Sequence, residues 1–251
     1  MSIQEFSTTF DTLLNSYNTI VPFGEQSSKV DIVLDEYEKS VFLTQAQEEL
    51  VVNLYNGKNP YGESFEGTEE MRRYLDGLIK TKVYTEEDKI EGTKVAGTSI
   101  FYKLPEDIAF ITMEQVTYDD KSLGCYNGNT AKVNPVTQDE YSRIKDNPFR
   151  GPTKYKVLRL DSGESIVELI SKYNIGEYLI KYLSKPEPII LEDLACAPEE
   201  EPSNIPSNLS IEGKSKQNEC KLNPMLHRLI IELAVQKAIQ AKGLRNQNMS
   251  N

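Results

Sequence analysis

His227 is the only histidine in the 251-residue sequence, and Cys125, Cys196 and Cys220 are the only thiols. A Ser–His or Cys–His dyad would need a hydroxyl or thiol carried to the ring by folding, and Cys220 is the nearest in sequence. His227 falls in the first turn of a predicted helix, where the dipole favours the neutral ring over the cation. One imidazole is too little for a zinc site. The cysteines are odd in number, far apart and without a CxxC pair, so neither a disulfide framework nor a zinc knuckle is predicted, and a reducing interior is implied. Carboxylates are plentiful, in Asp35, Glu36 and Glu38, Glu86, Glu87 and Asp88, Asp119 and Asp120, and Glu192 and Asp193. Any converging pair could hold Mg²⁺. With 39 acids in the chain, however, neighbours arise by chance, and most belong to solvated faces. Glu87-x-Lys89 has the acid-x-Lys form of a nuclease element but lacks the upstream Pro-Asp. GTKVAGTS (92–99) has neither the spacing nor the lysine of a phosphate loop. No catalytic, metal or cofactor constellation is predicted. Arg150, set between prolines in NPFRGP (147–152), and the pair Arg72-Arg73 are isolated basic sites on an acidic chain. They read either as local salt bridges or as contacts with an acidic patch on a partner, including another copy of the chain.

The elements that carry these residues follow from composition and periodicity. Lys plus Arg number 28 against 39 Asp plus Glu, a net charge of -11. That balance opposes phosphate neutralisation and so excludes tight nucleic-acid binding. It remains compatible with an acidic wall that DNA passes without adhering. Mean hydropathy is -0.50. The N-terminus lacks a basic region and apolar core, so no signal peptide is expected. No apolar run reaches the roughly 20 residues needed to cross a bilayer.

The first third reads as helix. Residues 3–17 place Phe6, Phe10, Leu13 and Leu14 on one side. After a break at Pro22 and Gly24, acids at 35–38 open a second helix, with Tyr37, Val41 and Phe42 facing inward. Thr44 and Gln47 form a capping-box pattern that could restart it, so one bent helix or two both fit up to Gly57. Asn59, Pro60 and Gly62 make a turn, and a third helix starts at Thr68 with Met71, Tyr74, Leu75 and Leu78 as its apolar set. From residue 82 the period changes to that of strands at 82–90, 98–104, 108–118, 155–160 and 176–182. The stretch 166–171 is ambiguous. Thr137 and Glu140 cap a short helix through Ile144. Residues 195–221, rich in proline, glutamate, serine and asparagine, read as a solvated tether.

The last helix organises this reading. Asn223 is its N-cap, Pro224 its first residue and Gly243 its expected stop. Leu226, Leu229, Ile230, Leu233, Ala234 and Ala241 form one stripe, and Ile231, Val235 and Ile239 a second roughly opposite Leu226. One reading is an ordinary buried helix. The other gives a tethered helix one apolar face to spare, with Pro224, Leu226, Arg228, Ile231, Val235 and Ile239, together with Arg150, as interface to another chain. The predicted fold class is α+β. It comprises a helical region (1–81), a β-rich domain that forms a small sheet or barrel with one helix on it (82–194), a flexible acidic linker (195–222) and a C-terminal docking helix and tail (223–251).

Five segments carry a family resemblance: LDEYEKSVFLTQAQEELV (34–51), TEEMRRYL (68–75), PVTQDEYSRIKDNPFRGP (135–152), YLIKYLSKPEPIILEDL (178–194) and ECKLNPMLHRLIIELAV (219–235). Together they resemble a virion protein of crAss-like tailed bacteriophages, in order across most of the chain. The resemblance implies a head-to-tail connector, a ring or adaptor beneath the portal. Its expected partners are copies of itself in a twelvefold ring, the portal protein and the next ring or tail protein. DNA would pass through without specific binding, no membrane is involved, and the protein would be made in the host cytoplasm and reside in the virion. The competing classes are a Mg²⁺-dependent phage nuclease or processing enzyme built on an acid cluster, and a cytoplasmic homo-oligomeric binding protein.

Overall fold

A computed structural model describes residues 1–18, 33–58, 62–96, 98–145, 147, 149–194 and 209–247, the last five of these through their backbone alone. The expected breaks at Pro22, Gly24, Asn59 and Pro60, the first half of the linker and Cys196 lie outside the described residues. The chain divides into two compact units. A helical unit is built from Met1–Leu78 and Pro186–Asn251, and a sheet unit from Ile79–Lys185.

In the helical unit, α1 (Ile3–Asn18) puts Phe6, Phe10 and Leu14 on one buried face. Helix α2 (Glu36–Asn56) is a single helix, begun by Asp35, whose carboxylate accepts from the Glu38 amide at 2.6 Å. Gly57 ends it with φ 74°, a left-handed position that glycine adopts without a Cβ clash. Thr68 caps α3 (Glu69–Tyr74) through the Met71 amide. Helix α5 (Pro224–Gln247) packs on both α1 and α2. Lys39, buried between α1 and α2, reaches Asp11 at 2.7 Å and Glu36 at 2.9 Å.

The capping-box reading of Thr44 and Gln47 is corrected: both side chains serve a tertiary contact instead. Thr44 Oγ1 accepts from the Ile189 amide at 3.1 Å and lies 3.3 Å from the Ile189 carbonyl oxygen. Gln47 Nε2 donates to the Glu187 carbonyl at 2.8 Å, and Ser40 Oγ accepts from the Leu191 amide at 3.0 Å. A polar stripe on α2 therefore satisfies an extended, buried segment as a neighbouring strand would. On its other side that segment exchanges two 3.0 Å backbone hydrogen bonds between Ile190 and Asn218. The second half of the expected linker, 209–222, is accordingly folded: Ile211 and Leu222 are buried and Asn218 Nδ2 donates to the Pro188 carbonyl. The helix expected to end at Gly243 continues through it to Gln247.

In the sheet unit, β1 (Ile79–Tyr84), β2 (Lys89–Ile90), β3 (Ser99–Lys103), β4 (Ile108–Tyr118), β5 (Thr130–Pro135), β6 (Lys156–Gly163), β7 (Ile166–Ile170) and β8 (Ile175–Ser184) form one sheet. Its order is β1-β8-β4-β5-β6-β7-β3-β2, with β5–β6 the parallel pair among antiparallel ones. The sheet curls so strongly that Tyr84 of edge strand β1 lies 5.4 Å from Tyr102 of β3; Tyr84 stacks on Tyr178 of β8 and Tyr102 packs against it at a tilt. The inner face is closed by Val116, Val133, Val157, Leu169 and Ile180. Helix α4 (Gln138–Ile144), capped by Thr137, covers the outer face of β6 and β7 with Tyr141 and Ile144 against Leu158, Leu160 and Ile170. Strand β5 (TAKVNP) is absent from the sequence-based expectation. It carries lysine, asparagine and proline, and it is a strand because β4 and β6 flank it.

Candidate docking surface

Helix α5 begins where Asn223 Oδ1 accepts from the Met225 amide at 3.0 Å. Its inward face holds Leu226, Ile230, Ile231, Ala234, Val235 and Ala238, all 2% exposed or less. The spare-face expectation is thus corrected at Ile231 and Val235: α1 and α2 of the same chain cover both completely. A helix turns ~100° per residue, so the two apolar stripes merge into one broad face when neighbours arrive from both sides. Ile239 is half-buried and Pro224 is exposed. Arg228 projects outward and pairs with Glu232 at 3.0 Å.

His227 is buried in the first turn of α5, its ring 5.1 Å from that of Phe6. Its Nε2 lies 3.0 Å from the Leu222 carbonyl and its Nδ1 3.1 Å from the Met1 amino group. Burial, opposed by the Leu222 carbonyl and reinforced by that ammonium, lowers its pKa. Cys220 is also inside the unit, near the Gln47 amide oxygen, and burial pushes its thiol up. The two groups considered as a dyad thus each have other partners, His227 with Met1 and Leu222 and Cys220 with Gln47.

What α5 leaves open is a different apolar line. Met225 is 71% and Leu229 44% exposed, and the half-buried Leu233 continues the row. These three wall a groove of about 550 Å³ whose opposite side is Leu50 and Leu54 of α2 and Tyr74 of α3. The rim is polar: Lys58, Asn53, Gln236 and the Arg228–Glu232 pair. Leu226 forms the floor, so of the expected interface residues Leu226 and Arg228 do line an open surface. The sequence placed Leu229 and Leu233 with the core. Leu229's three-residue spacing from Leu226 put it there, although it turns away on the outer side.

Arg150 belongs to the sheet unit, apart from the α5 residues. Asn147 organises its loop: Oδ1 accepts from the Phe149 amide at 2.9 Å, and the Asn147 carbonyl from the Gly151 amide at 2.9 Å. Lys156 Nζ donates to the Arg150 carbonyl at 2.7 Å. The loop presents Phe149, 90% exposed, beside the exposed Arg150 guanidinium.

The interior of the sheet unit holds one ionic cluster. Arg159 Nη1 lies 2.7 Å from Glu114 Oε2, an ion pair without hydrogen-bond alignment, and Tyr178 donates its hydroxyl to Glu114. Burial opposes the Arg159 charge, but Glu114 and Asp161 outweigh it and hold the guanidinium protonated. Burial first, then Glu114, raises the Tyr178 pKa, and burial pushes Tyr102 up to about 12. Arg159 Nε and Nη1 and the Tyr102 hydroxyl are buried there without a hydrogen-bond partner among the described residues. Glu87 is exposed on a turn whose Lys89 pairs with Glu86 at 2.8 Å. Among the described residues no three His, Cys, Asp or Glu side chains converge as a metal site, and no helix is long and apolar enough to cross a membrane.

Comparison with known proteins gives a consistent result. Residues 1–250 match the family described as phage tail ring protein 3/4. The chain is similar to Ring protein 3 of Bacteroides phage crAss001, 49% identical over 244 residues that cover 96% of each chain. It is also similar to Ring protein 4/5 of the same phage, 32% identical over 247 residues, covering 95% of this chain and 92% of the relative.

Proposed function

Because the chain belongs to the phage tail ring protein 3/4 family, we propose that it is a structural component of a crAss-like virion that closes with copies of itself into a ring. In this reading the ring sits in the neck, joins portal to tail, and lines the path of the DNA. The observation that carries the proposal is the extent of the similarity, which runs through both compact units rather than one. A twelvefold ring matched to the portal is part of the same reading. The charge supports it: a wall on a chain of net charge -11 offers little grip to phosphates moving past. The exposed apolar line on α5 supports assembly, since isolated chains seldom leave such a row bordering a groove without use.

The test is localised reconstruction of purified particles. The expected result is density for this chain as a closed ring between portal and tail, with a central opening wide enough for duplex DNA. Absence from particles, or a position outside the neck, would overturn the proposal.

A further inference from the structure

The net charge of -11 is unevenly divided between the two units. The sheet unit, Ile79–Lys185, carries 16 Lys plus Arg against 16 Asp plus Glu, so the helical unit holds the whole excess, 12 against 23. Within the sheet unit, cations gather on one face. Residues 121–156 hold seven Lys plus Arg against three Asp plus Glu. Lys132 and Lys156 are register neighbours on β5 and β6, and they point outward because Val133 and Val157 close the inner face. Lys156 Nζ donates to the Arg150 carbonyl at 2.7 Å. Lys154 Nζ lies 5.3 Å and 4.9 Å from the centres of the Tyr126 and Tyr155 rings, which meet edge to face. Tyr155 is 60% and Phe149 90% exposed beside them. Among the described residues, Lys132, Arg150, Lys154 and Lys156 make no ion pair. Glu140 borders the face, sharing a pocket of about 310 Å³ with Arg150 and Lys156. We propose that this basic, aromatic face docks on the acidic helical unit of a second copy. The proposal rests on the ring reading and names its subunit contact.

Charge complementarity selects the occupant. Outside 121–156 the chain carries 21 Lys plus Arg against 36 Asp plus Glu, so neighbouring copies present each such face with an acid-rich surface. Cations held in place by a backbone carbonyl or by two tyrosine rings lose little freedom on meeting carboxylates. Exposed tyrosine and phenylalanine beside an arginine add the apolar contact that a charge pair in water lacks. The basic face and the acidic unit are unlike surfaces on one chain, so each copy can use both at once. Such a head-to-tail contact propagates and closes into a ring when the rotation between copies permits. Duplex DNA is the competing polyanion. Four unpaired cations with Glu140 beside them are few against the roughly 6–10 phosphate contacts of a duplex-binding protein.

The experiment uses the full chain with p-benzoylphenylalanine in place of Tyr155, irradiated after assembly, with the adduct mapped by proteolysis and mass. A covalent dimer is expected, joined to Met1–Leu78 or Pro186–Asn251 of the second copy. A link to Ile79–Lys185 of the second copy, to another phage protein or to DNA would overturn the contact, as would a closed assembly that yields no link. Charge reversal provides a second measurement. Lys132→Glu, Arg150→Glu and Lys154→Glu combined should lower the assembled fraction on the order of tenfold. Assembly of the unaltered chain should weaken as salt approaches about 1 M, where the Debye length is about 3 Å. The three side chains are exposed, so the dilute variant should melt where the dilute unaltered chain does. If the folded variant assembles like the unaltered chain, or loses retention on duplex DNA instead of self-assembly, the contact is wrong while the ring reading stands. If the unaltered chain forms no closed assembly at any concentration, the ring reading falls and this contact with it.

Discussion

Arg159 and Glu114 form a charge pair almost without water, with side chains 10% and 6% exposed. Removing one partner strands the other, and the cost of an uncompensated buried charge is about 3–5 kcal/mol. Glu114→Ala is expected to destabilise the sheet unit by that order and lower its urea midpoint accordingly, whereas a double change to apolar residues of similar volume is tolerated far better. Unfolding curves of both variants check this. His227 gives a pH dependence of known sign. Its folded pKa lies below the unfolded value near 6.5, so the unfolded chain takes up a proton that the folded helix resists. Stability of the helical unit is therefore complete above about pH 6.5 and declines as pH falls toward the folded value. His227→Gln is expected to flatten the slope below about pH 6.5, as thermal melts at stepped pH would show.

At the scale of elements, the relation between α5 and its neighbours has the largest consequence. Ile231→Ala removes a completely buried side chain and is expected to cost about 2–5 kcal/mol. Leu229→Ala, on the open side of the same helix, should stay within about 0.5 kcal/mol in the isolated chain. Denaturant titration separates the two, and an equal effect would mean the helix is packed another way round. Deleting the chain after Asn218 is expected to unfold the helical unit, because Phe6, Phe10 and the inner face of α2 lose their cover. The extended segment at 186–191 follows the same logic. Thr44→Val would orphan the buried Ile189 amide at a cost of about 1–3 kcal/mol, although the substitution is nearly isosteric.

For the whole molecule, the contiguous sheet unit is bounded by Ile79 and Lys185, while the helical unit is assembled from both ends of the chain. Residues 79–185 expressed alone are expected to fold cooperatively, since their tyrosine-lined core closes on itself. A molten product, with helix and strand signals but no dispersed side-chain resonances, would contradict that. The converse excision, residues 1–78 alone, should not fold, because its core needs α5 from the far end. In the ring that we propose, the helical unit would gain further stability from the neighbouring copy, so its melting temperature should rise with protein concentration.

Sequence by itself determined what depends on near neighbours. The caps at Thr137 and Asn223 were legible because each hydrogen bond spans two or three residues. The strongest strand, β4, was legible from its β-branched and aromatic run, and the resemblance in five segments led to the family. Tertiary structure alone decided that Ile231 and Val235 face inward while Met225 and Leu229 face out. Helical spacing states which residues share a side, but not from which directions partners arrive. It also decided that TAKVNP is a strand, since β4 and β6 supply hydrogen bonds that its own side chains do not favour. Thr44 and Gln47 show the same limit. The pattern of a helix start was present, and a distant backbone with unmet hydrogen bonds claimed the side chains instead.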